Sequence, residues 1–299
     1  VQRGLIITTH PTWNIILEPG RAWSEAGDGG YSRASLSFTL APKGGNSSYN
    51  GTLTFLFDED SVSRVWYQIT QETAAYTKAD FWGLLEARYH PGQVPEAGQA
   101  RADFRRELAG RFPTRPIEEL AKVVPGLNPG AFGAGVPKSQ LTWYGVVVDG
   151  VNYLGGCQTR YGRYPYCESQ RAASFSTAKS LFPSLALMRL AQVYGPQVRG
   201  LYVKEYVPET ADGQGDWEMV TFDQALDMAT GNFDSGGNMV DEDGPKMAEF
   251  YAAQPYEKRI AAAFVWPSAA PAGTVWVYHT SDTFIVTRAM QAYLQAQAG

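Results

Sequence analysis

Ser174-Phe175-Ser176-Thr177-Ala178-Lys179-Ser180-Leu181-Phe182 is the stretch from which the rest of this chain is read. It places a serine and a lysine, Ser176 and Lys179, three apart at the mouth of an apolar run. On a helix, residues three apart share a face, about 5–6 Å apart at Cβ. A hydroxyl is a weak nucleophile at its own pKa and needs an adjacent base. An amine one turn further on can serve, once burial or a neighbouring cation favours its neutral form. A serine opening a helix also lies beside backbone N–H groups able to stabilise a developing oxyanion. Ser-x-x-Lys also arises on solvated helix faces, so the flanking sequence has to decide what the pair does.

Upstream, Leu141-Thr142-Trp143-Tyr144-Gly145-Val146-Val147-Val148 reads as a strand, Asp149-Gly150 as a hairpin turn, and Val151-Asn152-Tyr153-Leu154 as the return strand. A loop bounded by Cys157 and Cys167 leads from there to Ser176. A spacing of ten around a loop of Gly, Pro and Tyr suits a disulfide, worth about 2–3 kcal/mol by loop entropy. The other reading is two buried thiols. The histidines, His10, His90 and His279, are scattered, which argues against zinc on this loop.

Downstream, apolar residues from Leu181 to Ala191 keep helical spacing to a stop at Tyr194-Gly195-Pro196, and Pro183 should kink that helix or cost it a hydrogen bond. Thr221 reads as an N-cap, and Gly231 as the C′ glycine of the helix it opens. Helices are expected over 246–253, 256–263 and 283–298, with an extended stretch at 273–278.

The first part is β-rich. Ala34 to Leu40 alternates, with Leu36, Phe38 and Leu40 on one face, and Gly51 to Phe57 does nearly the same. Turn-rich separators at 27–30 and 42–46 complete the pattern of an antiparallel sandwich or small barrel. The expected organisation is α+β: a β-rich accessory domain over 1–110, a linker with short helices over 111–138, and a second domain over 139–299.

A net charge of −5 over 299 residues argues against nucleic acid as a general partner. No apolar run reaches the ~18 residues that a membrane span needs. The Val1-Gln2-Arg3 start suits a mature chain whose leader has been removed, and a disulfide suits an oxidising compartment. The expected location is therefore exported, periplasmic or extracellular.

Over roughly 140–299 the order of motifs resembles the penicillin-recognising serine hydrolases, in the branch of class C β-lactamases, DD-peptidases and related esterases and amide hydrolases. The hairpin at Val147-Val148-Asp149-Gly150 comes first, then Ser176-Thr177-Ala178-Lys179 as the Ser-x-x-Lys motif. Val203 to Glu209, Trp217 and the 220–231 stretch follow. Thr274-Val275-Trp276-Val277-Tyr278-His279-Thr280 resembles the segment that carries Tyr-x-Asn.

The resemblance implies an antiparallel sheet flanked by helices, plus a helical subdomain. Its activity would be ester or amide cleavage through an acyl-enzyme on Ser176, with Lys179 and Tyr278 as proton relays and the Ser176 N–H as half of an oxyanion hole. Thr280 stands at the substrate-orienting position, where Asn is usual. No cofactor and no metal are implied. The substrate would be a small molecule or peptide-like. A Lys/His-Ser/Thr-Gly motif is expected well after Tyr278 and does not occur, so a second polypeptide carrying the rest of the catalytic domain is an expected partner. The alternative is a non-catalytic sensor or binding protein on the same fold.

Other candidates read as structural. His279 is taken as a packed or exposed histidine. Asp234-Ser235-Gly236-Gly237 echoes a chymotrypsin-type tetrapeptide but lacks a well-placed His partner. Asp241, Glu242 and Asp243 lack the EF-hand spacing and read as a solvated loop.

Overall fold

The computed structural model describes residues 1–73 and 78–298. The chain divides into two compact units, Val1–Ala173 and Ser174–Gly299, and has the expected α+β composition.

The first unit is built on an antiparallel sheet of β1 (Leu5–Ile6), β2 (Trp13–Leu17), β3 (Arg21–Trp23), β4 (Ser32–Pro42), β5 (Ser48–Phe57), β6 (Val65–Thr73) and β7 (Trp82–Leu85). The strand order is β1-β2-β4-β5-β6-β7, with β3 also on β4. The expected alternation holds on the apolar face, where Phe38, Tyr49 and Ile69 are buried with Trp13, Ile15, Leu40 and Leu53 packed against them. Among the described residues the sheet is open and closes into no barrel. A register shift at Asn50/Gly51 breaks the β5–β6 ladder. Gly51 is required there, because a Cβ would lie 2.4 Å from the Phe38 ring and 2.3 Å from the Gln68 carbonyl.

Helix α1 (Ala97–Gly110) and β8 (Thr114–Pro116) follow. β8 pairs in parallel with β10 (Val151–Gly156), which pairs antiparallel with β9 (Trp143–Val148). The hairpin turn has Asp149 at φ 49° and Gly150 at φ 73°, both in the left-handed region that a two-residue type I′ turn needs. Cys157 and Cys167 form a disulfide, with Cα atoms 5.8 Å apart.

The break between the units at 173/174 lies well beyond the linker expected over 111–138, and hydrogen bonding explains it. Asn50 Nδ2 donates to the Arg171 carbonyl (2.8 Å), and the Arg171 N–H donates back to Asn50 Oδ1 (3.0 Å). Gln170 Nε2 donates to Gln71 Oε1 (3.0 Å). The Tyr164 and Tyr166 hydroxyls donate to the carbonyls of Gly51 and Ser35, each at 2.8 Å. These bonds satisfy the polar face of the sheet, so the cysteine loop belongs to it.

The second unit is helical: α2 (Thr177–Tyr194), α3 (Phe222–Leu226), α4 (Pro245–Ala252), α5 (Tyr256–Ala263) and α6 (Thr280–Ala298). α6 supplies Ile285, Val286, Ala289, Met290 and Tyr293 to the core, where they meet Leu187 and Leu190 of α2, Phe222 and Ala225 of α3, Phe250 of α4 and Ile260 of α5. α2 runs through Pro183, which lacks the N–H that would bond the Lys179 carbonyl. No helix among the described residues is long and apolar enough to cross a membrane.

Candidate active site

Ser176 is exposed at the threshold of α2. The preceding residue, Phe175, has φ 44°, an uncommon conformation for a bulky side chain. Such strain persists only where the surrounding structure enforces it, and it is frequent at functional sites. The chain turns sharply there, and the Lys179 N–H donates to the Ser176 carbonyl at 2.9 Å. The half-buried Lys179 thereby comes back over Ser176: its Nζ donates to Ser176 Oγ at 2.9 Å and to the Tyr278 hydroxyl at 2.8 Å. The same ammonium lies 4.8 Å from the centre of the Tyr278 ring. Three residues named from sequence thus form one continuous chain of hydrogen bonds, Ser176–Lys179–Tyr278.

Tyr278 is held from its N-terminal side by the end of α3. Thr221 and Gln224 form a reciprocal capping box at the start of that helix, as the sequence suggested for Thr221. The helix ends earlier than expected. The Ala229 N–H bonds the Gln224 carbonyl (2.8 Å) and the Met228 N–H bonds the Ala225 carbonyl (3.2 Å), which is a Schellman closure. Met228, at φ 55°, takes the left-handed C′ position expected of Gly231. Gly231 serves a different need, since a Cβ there would lie 2.1 Å from the Ala270 carbonyl. The stretch 273–278 joins no sheet. It lies along the α3 end, with the Gly273 N–H on the Ala229 carbonyl (2.7 Å) and the Val277 N–H on the Met228 carbonyl (3.0 Å).

On the C-terminal side of Tyr278 lies a buried polar cluster that the sequence reading missed. His279 is fully buried, with its ring stacked on Trp266 at a centroid distance of 4.2 Å. Its Nε2 is 3.0 Å from Asp241 Oδ2, and its Nδ1 is 3.8 Å from Asp282 Oδ1. Asp241 also accepts the N–H groups of Asp234 (2.9 Å) and Ser235 (3.2 Å). Asp282 accepts the Thr230 hydroxyl at 3.3 Å. Burial alone would lower the His279 pKa, but the carboxylates of Asp282 and Asp241 outweigh it and raise it above the ordinary value. Burial raises Asp282, against the nearby His279 ring and the Thr230 hydrogen bond that favour its anion.

The expected solvated loop at 241–243 is therefore corrected at Asp241 and Glu242, while Asp243 is exposed as expected. Asp241 and Glu242 are both buried, because the loop folds against the start of α6. A run of acidic residues looks solvated in sequence, and only the position of α6 reveals partners for them. Glu242 accepts the Thr280 N–H (2.9 Å), the Thr280 hydroxyl (2.5 Å) and the Tyr251 hydroxyl (2.5 Å). Burial, followed by the bond to Glu242, raises the Tyr251 pKa. Thr280 thus sits beside Tyr278 with its hydroxyl hydrogen committed to a carboxylate, leaving its oxygen as an acceptor. The tetrapeptide at 234–237 is a turn in which Ser235 Oγ accepts the Gly237 N–H (3.1 Å).

One signal for the cluster was present in the sequence. His279 and Asp282 are three apart at the start of a helical pattern, the spacing that puts two side chains on one face. Neither a known protein family nor any curated protein matches this chain.

Proposed function

We propose that this chain carries the nucleophile and proton relay of a serine hydrolase that cleaves an ester or amide through an acyl-enzyme, in the manner of the penicillin-recognising enzymes its motif order resembles. The observation that supports this reading is Lys179 Nζ at hydrogen-bond distance from both Ser176 Oγ and the Tyr278 hydroxyl, two groups 102 positions apart in the chain.

In the first step Lys179, in its amine form, takes the Ser176 proton as Oγ bonds to the substrate carbonyl carbon. Collapse of the tetrahedral adduct breaks the bond to the leaving alcohol or amine, which takes a proton from the Lys179–Tyr278 relay. Water then attacks the acyl-Ser176 ester, gives its proton to the relay and releases the acid, so Ser176 recovers its hydrogen. The backbone at the start of α2 is suited to stabilise the oxyanion. Thr280, two residues after Tyr278, and Tyr251, hydrogen-bonded to Thr280 at 2.8 Å, would orient a small-molecule or peptide-like substrate.

The Cys157–Cys167 disulfide supports placement in an oxidising compartment, and we propose export to a periplasmic or extracellular setting. We also propose that a segment outside these 299 residues, in the same polypeptide or a second one, supplies the Lys/His-Ser/Thr-Gly motif. The exposed side chains of Leu181, Phe182, Leu185 and Met188 along α2 are compatible with such a cover.

The test is acylation by a fluorophosphonate probe, read by peptide mass spectrometry. The expected result is one adduct, on Ser176, absent in Ser176→Ala. No adduct with fluorophosphonate or with a penicillin-type probe would overturn the enzyme and favour a binding protein.

A further inference from the structure

We propose that His279, clamped between Asp241 and Asp282 with its ring on Trp266, is a positioning residue that holds the Tyr278 hydroxyl against Lys179. This rests on the reading of Ser176, Lys179 and Tyr278 as the reacting groups.

Tyr278 has no fixed strand or helix to orient it. It lies between the Val277 anchor on Met228 and the first turn of α6. The anchor leaves the peptide free to rotate about the bonds that follow Val277, so a second fixed point is needed. His279 supplies it. Its ring is fully buried, stacked on Trp266 at an interplanar angle of 18°, and faces a carboxylate on each side. Removing the ring would leave two buried carboxylates without their cation, a costly change that the surrounding backbone would shift to relieve. A shift of about 1 Å at a reacting group is enough to cost a factor of about 100 in rate.

Asp241 extends the same clamp to the loop before α4. That carboxylate binds the N–H groups of Asp234 and Ser235 as well as the imidazole. One residue therefore ties the loop, the start of α6 and the residue after Tyr278 together. The His279 Nδ1 is buried without a hydrogen-bond partner, 3.8 Å from Asp282. Its interaction with Asp282 is thus one of charge, and it weakens when the ring loses its proton.

The charged groups on the imidazole are Asp241 from the loop and Asp282 from α6, with Glu242 next along the loop bonded to the Thr280 N–H and Lys246 of α4 lying 5.0 Å over the Trp266 ring. The carboxylates dominate, which matches the raised pKa of His279. The sign follows: the clamp is complete while the imidazolium is protonated and slackens as pH rises through that raised value.

The experiment uses the whole chain, with His279→Gln and the near-isosteric Asp241→Asn. The probes are fluorophosphonate for acylation and p-nitrophenyl butyrate for turnover, with circular dichroism to establish folding. In each folded variant kcat should fall by up to about 100-fold, the cost of a ~1 Å misplacement of a reacting group. KM should stay within about threefold, and the inflection that His279 gives the kcat–pH profile should vanish in His279→Gln. A wild-type profile in folded His279→Gln, at any level of activity, would reduce the residue to a packing role and overturn the proposal.

A second readout does not depend on turnover. The 13Cζ resonance of Tyr278, assigned with Tyr278→Phe, should move in both variants; a signal unchanged in both would overturn the positioning role even if kcat fell. Absence of any Ser176 adduct in the wild type would count against the hydrolase reading alone, and the Tyr278 resonance would then decide the positioning role by itself.

Discussion

The two units bury polar side chains in opposite ways. In the first, the buried groups are mostly neutral: Thr39, Asn50, Gln71 and Gln170 are joined side chain to side chain and side chain to backbone. The carboxylates buried there, Glu18 and Asp28, have arginine partners, Arg171 on Glu18 at 3.0 Å and Arg33 on Asp28 at 2.5 Å. Arginine does not deprotonate in a folded protein. In the second unit, Asp241 and Asp282 share a histidine, the side chain whose charge is easiest to change near neutral pH. Neutral networks and arginine pairs fix a structure. A carboxylate–histidine cluster costs more to bury and titrates, so it is better explained by a task, and it adjoins Tyr278.

The contrast can be broken in four ways, in descending order of effect. Lys179→Ala should lower the rate of fluorophosphonate acylation about 10³-fold and Tyr278→Phe about 10²-fold, within the range for general acid–base groups, with little change in melting temperature. If stability collapses instead, the relay is a structural contact like those of the first unit. Next, Asn50→Ala should destabilise by about 2–3 kcal/mol, because Gln71 and the Arg171 backbone lose partners in a buried setting. Urea titrations should give the same loss at acid and neutral pH, since nothing in that amide network ionises.

Of similar or slightly smaller size, Cys157→Ser combined with Cys167→Ser should cost about 2–3 kcal/mol by loop entropy while leaving Ser176 labelling unchanged in the folded fraction. The smallest effect concerns pH alone. His279 and Asp282 both have raised pKa values when folded, so each contributes stability that is present below its unfolded value and lost as pH rises through its folded one. For His279 the loss begins above the ordinary 6.5. The melting temperature should therefore fall by a few degrees as pH rises above that ordinary imidazole value, and this slope should flatten in His279→Gln. A slope retained in His279→Gln would place the pH sensitivity elsewhere.

Local order was legible in the sequence wherever one stretch of chain contains its own cause. The alternation of Phe38 and Leu40, the Asp149-Gly150 turn, the Thr221 cap and the Ser176/Lys179 spacing all act over a few residues, and each has its counterpart in the structure. The pairing of Cys157 with Cys167 was equally readable, because the loop between them is short. Other features depend on residues distant in sequence and could not be read that way. The polar side chains of the sheet find their partners in Gln170 and Arg171, 99 to 121 positions away. Asp241 and Glu242 looked solvated until α6 came to them, and Met228 took the left-handed turn that Gly231 seemed made for. Periodicity and spacing encode which face a residue presents. Only packing decides what meets that face, and here packing put Tyr278 on Lys179 and a buried histidine between two carboxylates behind it.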